Sequence, residues 1–115
     1  MSESVIDQAV FSELKDAGGM EFAVELVDTF LEEAPGILTE LRSAQAQGDV
    51  DGFRRAAHSL KSNGNTFGAS KLATLARELE LGGMNADPAL DLEAITALEA
   101  EYERTAAALK ELCNG

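Results

Sequence analysis

Apolar residues recur every three or four positions along almost the whole chain, and no stretch alternates long enough to read as a strand. The pattern predicts helices throughout. Ser4-Val5-Ile6-Asp7 has the form of a helix start, with Ser4 as the cap and an acid three residues later. A short helix is expected from there to about Ala17, ended by Gly18-Gly19. A second helix is expected over roughly 20–47, with a stripe of Phe22/Ala23, Val27, Phe30/Leu31, Ala34, Leu38, Leu41 and Ala44/Gln45. Pro35 falls inside it. Proline removes one backbone donor and crowds the preceding turn, so a kink or local break is expected there.

Gly48-Asp49 reads as the end of that helix followed by the cap of the next. A third helix is expected over roughly 50–65, with a turn at Gly64-Asn65-Thr66-Phe67-Gly68. A fourth runs from about Ala69 to Leu81 and stops at Gly82-Gly83. Asp87-Pro88 or Asp91 opens the last helix, which continues to about Leu112 with the stripe Ile95, Leu98, Tyr102, Thr105/Ala106 and Leu109. Short connections favour antiparallel neighbours. The expected architecture is all-α: an antiparallel four-helix bundle with an additional short N-terminal helix.

Length and composition fit one domain spanning 1–115. The 115 residues suffice for one core and are too few for two, and 45% of them are hydrophobic. No apolar run approaches the roughly 20 residues of a membrane span, and Met1-Ser2-Glu3-Ser4 lacks the basic and apolar regions of a signal peptide. The lone cysteine, Cys113, makes no intrachain disulfide, which suits a reducing cytoplasm. Its expected use is structural. A net charge of −12 argues against nucleic acid and favours partners with basic rims. Met1 at one end and Asn114-Gly115 at the other suggest a free-standing domain, expected to be a monomer.

The charge is unevenly spread. From Gly52 to Arg77 there is no Asp or Glu, although the chain holds 21 acids, and this window carries five of the nine basic residues: Arg54, Arg55, Lys61, Lys71 and Arg77. The only histidine, His58, is there too. Imidazole is a nucleophile near neutral pH, and cationic surroundings suit a phosphoryl group arriving on it.

Helical geometry says which way the ring points. At about 100° per residue, the apolar stripe of the third helix is Phe53, Ala56, Ala57, Leu60, Gly64 and Phe67, and His58 lies roughly 150° from its centre. It therefore faces outward, sharing its side with Asp51, Arg54, Lys61, Ser62 and Asn65. An incidental surface histidine is the bland alternative. The acid-free surroundings and the small Ala56, Ala57 and Gly64 favour an approachable nucleophile instead.

If the chain reverses near Ala69, residues whose numbers sum to about 138 lie level on the two antiparallel helices, about 16 Å from the reversal for His58 and Glu80. Glu80 lies about 80° to one side of the stripe Leu72, Leu75, Ala76, Leu79 and Gly83. It is thus at the edge of the interface, where its carboxylate can accept from one imidazole nitrogen and fix the tautomer. Geometry leaves that role open beside the plainer one of a solvated acid.

At these residues the chain resembles the histidine-containing phosphotransfer (Hpt) domains of two-component phosphorelays. The resemblance rests on Ala57-His58-Ser59-Leu60-Lys61-Ser62, then Asn63-Gly64-Asn65-Thr66-Phe67-Gly68-Ala69, then a Leu-Ala-x-Leu-Ala-x-x-Leu-Glu segment from Leu72 to Glu80. Phe30-Leu31-Glu32-Glu33-Ala34-Pro35 and Gly48-Asp49 also fit. Ser62 stands where many members have Gly, and Gly64 where Ser or Ala is common.

The resemblance implies that His58 is phosphorylated at its outward ring nitrogen and that Lys61 neutralises the phosphoryl group. It implies that Glu80 bonds the inner nitrogen and that Gly64 stays small so that a partner can dock. Arg54 and Arg55 form a cationic fringe, with Ser62 and Asn65 beside the ring. The implied partners are response-regulator receiver domains, with a hybrid sensor histidine kinase as a further one. The chain itself is expected to need no cofactor, the divalent metal belonging to the receiver. Phe11, Leu14 and Phe22 are candidates for the apolar part of the docking surface.

Rival chemistries lack their residues. One His and one distant Cys make no metal cluster. Ser59 and Ser62 flank the histidine without a nucleophile elbow, and there is no Walker-type run to hold ATP. The rival that survives is an adaptor that binds a receiver or kinase and regulates it without transferring anything.

Overall fold

The computed structural model describes residues 5–82 and 88–114. Four helices account for nearly all of them: α1 (Gln8–Gln47), α2 (Val50–Phe67), α3 (Ser70–Gly82) and α4 (Pro88–Asn114). Each packs on two neighbours, in the cyclic order α1, α2, α3, α4 and back to α1. With two-residue links between α1 and α2 and between α2 and α3, this is an up-down-up-down bundle. Among the described residues no helix is long and apolar enough to cross a membrane.

The short N-terminal helix expected to end at Gly18-Gly19 runs into the next without a loop, and a kink at Gly19 divides the two. Gln8–Gln47 is a single span, yet Gly19 inside it has φ 87° and ψ 171°. Forty helical residues would reach about 60 Å at 1.5 Å each, whereas the longest extent of the molecule is 44 Å. The chain must therefore turn at Gly19, and only glycine adopts that φ without steric cost. Asp7 caps this span, its carboxylate accepting from the Ala9 N–H at 3.0 Å. The Ser4 expected for this role lies outside the described residues.

Pro35 does not break α1. Gly19 is the one position within the span that leaves helical dihedrals. Pro35 is exposed, so water can serve the carbonyl that its missing N–H leaves free.

Gly48 and Gly68 close α1 and α2 in the left-handed region, with φ 72° and 76°. In each case the following N–H reaches back to the last turn: Asp49 to the Ala44 carbonyl at 2.9 Å and Ala69 to the Gly64 carbonyl at 2.8 Å. Asp49 then caps α2 by accepting from the Gly52 N–H at 2.9 Å. The turn expected at 64–68 is shorter than the sequence suggested. α2 stays helical through Gly64 and ends only after Phe67, whose buried ring lies 5.3 Å from that of Phe30. Asp87 lies outside the described residues, and Pro88 is the first residue of α4.

The core joins all four helices. Val27, Leu41, Phe53, Leu60, Leu72, Ile95, Leu98 and Leu109 are fully buried, and each contributes about 1.5–3 kcal/mol of apolar burial. Tyr102 meets Phe30 edge-on at 5.7 Å, tying α4 to α1. Arg42 adds a paired contact across the same seam, donating to both carboxylate oxygens of Glu99 at 2.7 and 2.6 Å.

Candidate functional site

α2 positions the histidine. Phe53, Ala57 and Leu60 have no exposed surface, so their face of the helix is locked against the core. This turns His58 outward, its side chain 57% exposed. α3 brings up Glu80 from the other side of a close seam. There Gly64 is buried, and a Cβ on it would stand 3.0 Å from the Ala73 nitrogen and 3.2 Å from the Ala69 carbonyl. Gly64 thus serves the approach of α2 to α3. This corrects the expectation that it stays small for a docking partner.

The two side chains meet. His58 Nδ1 lies 2.6 Å from Glu80 Oε2, and the second carboxylate oxygen lies 2.7 Å from Lys61 Nζ. Glu80 is only 15% exposed and Lys61 25%. Oε1 is closed off from solvent and is satisfied by the lysine's charge rather than by a well-aligned hydrogen bond. The Lys61 contact, aided by His58, holds the Glu80 carboxyl below its ordinary range against the opposing effect of burial. A carboxylate on Nδ1 favours the proton on that nitrogen and leaves the Nε2 lone pair free. With more than half of the ring exposed, a reacting group can approach Nε2 from solvent.

The remaining sequence candidates divide. Arg54, Ser62 and Asn65 are exposed on α2, as the helical wheel placed them. Arg55 is exposed but lines a cleft between α1 and α2 with Glu40 and Asp49. Phe11 belongs to the core at 2% exposure, and Leu14 is half-buried. Phe22 is 40% exposed, beside Met20 at 39%, with its ring folded over Gly18. Phe11 is therefore no part of a docking surface. Cys113 is half-buried, and burial raises its thiol pKa, which suits an unreactive structural cysteine. Among the described residues, no three His, Cys, Asp or Glu side chains gather to hold a metal.

Sequence reasoning missed the second bond of Glu80. It treated Lys61 as a free cation, although a lysine one turn beyond His58 easily reaches a carboxylate placed between them. It also gave no role to Arg77, which the same count of 138 sets level with Lys61.

A family model described as Hpt domain matches residues 25–108, which include the whole of α2 and α3. The chain belongs to the Hpt domain family. As an Hpt domain it has a phosphotransfer role in two-component signalling, where Hpt proteins interact with receiver domains and kinases. Its structure is similar to that of histidine-containing phosphotransfer protein B (HptB) from Pseudomonas aeruginosa PAO1. The TM-score is 0.84 over 98% of this Hpt domain and 97% of that chain, at 24% sequence identity. At that identity the likeness is one of fold. No curated protein matches the sequence of this Hpt domain.

Proposed function

We propose that the protein is a phosphocarrier that relays a phosphoryl group between aspartates of receiver domains through phospho-His58. The observation that carries this reading is the 2.6 Å contact between Glu80 and Nδ1 of an exposed ring, which leaves Nε2 as the nucleophile.

The Nε2 lone pair attacks phosphorus in line. The N–P bond forms as the bond to the aspartate oxygen breaks, and its electron pair leaves with the aspartate. The Nδ1 proton stays in place throughout, shared with Glu80, whose charge balances the positive ring that results. No proton has to be removed or returned, so the reverse transfer needs no rearrangement. Lys61 stands 2.7 Å from Glu80, within reach of the incoming phosphoryl oxygens if its flexible stem swings away from the carboxylate. Phosphoryl transfer depends on positioning and charge neutralisation, which these three side chains supply. The receiver brings its own divalent metal, and the protein requires no cofactor of its own. The setting is cytoplasmic and the carrier acts as a monomer.

The test is to incubate the protein with a phosphorylated receiver domain and magnesium, with His58→Gln alongside. Acid-labile, base-stable label on the wild type and none on the variant is the expected result. Tight receiver binding that survives His58→Gln, with no label transferred from any of several receivers, would replace the carrier with an adaptor.

A further inference from the structure

Lys61 also borders the α2–α3 seam beside His58. There a small cleft of about 180 Å³ opens between α2 and α3, lined by Lys61, Asn65, Ser70, Thr74 and Arg77 around Ala73. Its walls contain two cations, two hydroxyls and an amide, and no acid. In a chain of net charge −12 an acid-free lining recurs in the cleft around Lys15, but that one holds a single cation and this one two. The clefts of α1 against α2 and α1 against α4 carry Glu40 and Asp49, and Glu99 and Glu103. Arg77 is exposed and, like Lys15, Arg54, Arg55 and Lys110, makes no ion pair among the described residues, so its guanidinium is available to a guest.

We propose that this cleft receives an acidic side chain, Asp or Glu, of the partner docked over His58. The proposal rests on the phosphocarrier reading. Size suits a small group: the cleft is open to solvent and has room for a carboxylate with a few waters. A carboxylate also suits the donors, because an arginine fork grips it through two parallel N–H bonds and the hydroxyls can complete its shell. Position argues likewise. Lys61 contacts Glu80, the partner of His58, and also lines the cleft, so an occupant sits beside the reacting ring on the same face. Screening over about 8 Å at physiological salt confines steering to nearby charges. An acidic group on the partner, repelled by the rest of the molecule, therefore finds its place along this strip.

The experiment uses a receiver domain chosen because it labels the wild-type protein. Transfer is followed against receiver concentration and salt for wild type, Arg77→Glu, Arg77→Gln and, as a control, Lys110→Glu on α4. Arg77→Glu is expected to lower the second-order rate constant about tenfold, to leave the rate at saturation unchanged and to flatten the salt dependence. Arg77→Gln falls between, and Lys110→Glu tracks the wild type. Reversing one acidic residue on the receiver to Lys restores the Arg77→Glu rate. Both Arg77 variants transferring with the wild-type constant and salt slope would overturn the cleft while leaving the carrier intact. A wild type that no receiver labels would remove the carrier and the cleft together. Matching circular dichroism spectra and unfolding midpoints show that a lost rate is not lost structure.

Discussion

Replacing Gly64 by alanine sets two effects of similar size against each other. Glycine inside a helix costs about 1 kcal/mol relative to alanine, so the substitution gains that much from the backbone. The new Cβ, however, would lie 3.0 Å from the Ala73 nitrogen, 3.1 Å from its Cβ and 3.2 Å from the Ala69 carbonyl. Carbon contacts are comfortable near 3.5–4.0 Å, so about half an ångström is missing. The obstructing groups cannot yield singly, because the Ala73 N–H donates to the Ala69 carbonyl at 3.0 Å in the first turn of α3. The helix must move as a body. Such overpacking costs about 1–3 kcal/mol, which outweighs the gain and leaves a net loss of about 1 kcal/mol. For a domain of this size that lowers Tm by about 4 °C. Gly36→Ala is the matched control: it is also helical, on the exposed side of α1, with nothing within 4 Å of its Cβ position. It should gain up to about 1 kcal/mol. Urea unfolding followed by circular dichroism compares the two midpoints at a common slope. Equal stabilisation by both substitutions would refute the close seam. With it would go the account of how Glu80 is held against His58.

Three further outcomes are expected. Arg42→Ala should cost roughly 0.5–1 kcal/mol, since the pair it breaks with Glu99 is partly exposed, and the loss should shrink in salt. Arg42 holds the Glu99 carboxyl below its ordinary range, so the pair's contribution is present at neutral pH and fades as pH falls through that lowered value. Unfolding midpoints of wild type and variant should therefore converge in acid, and a constant gap would contradict the sign. Asp49→Ala removes the cap on the Gly52 N–H and should cost about 1 kcal/mol in the same assay. For Glu80→Ala the readout is the ring itself. Nitrogen NMR should find the His58 proton mainly on Nδ1 in the wild type and shared between both nitrogens in the variant, and a wild type protonated on Nε2 would undo the proposed mechanism.

Much of this molecule can be read from its sequence because helical periodicity is a local property. The stripes through Leu41, Leu60 and Leu98 name the buried faces, and Gly48 with Asp49 names a boundary through its own backbone chemistry. The level of Glu80 with His58 follows from counting, once the reversal is placed near Ala69. What escaped depended on three-dimensional neighbours. Gly64 looked like a helix end, but its missing Cβ is used by α3, and Phe67 is anchored by an aromatic ring 37 residues away. Pro35 looked like a break, but it lies on a face where solvent covers the loss. Phe11 and Phe22 looked alike until the turn at Gly19 buried one and exposed the other.

His58, Lys61 and Glu80 all come from α2 and α3, consecutive helices joined by two residues. Only 22 positions separate the histidine from its carboxylate, so a small loop closes when they meet. Contacts of such short range carry a low entropic barrier and are expected to form among the earliest in a helical protein. Measured along the folding coordinate, the reactive ring would then be oriented before α4 has docked. A lesion in α4 should accordingly deplete the folded population while leaving each surviving molecule with its histidine correctly set. A lesion at the α2–α3 seam should do both, lowering stability and leaving the ring of each surviving molecule poorly aimed.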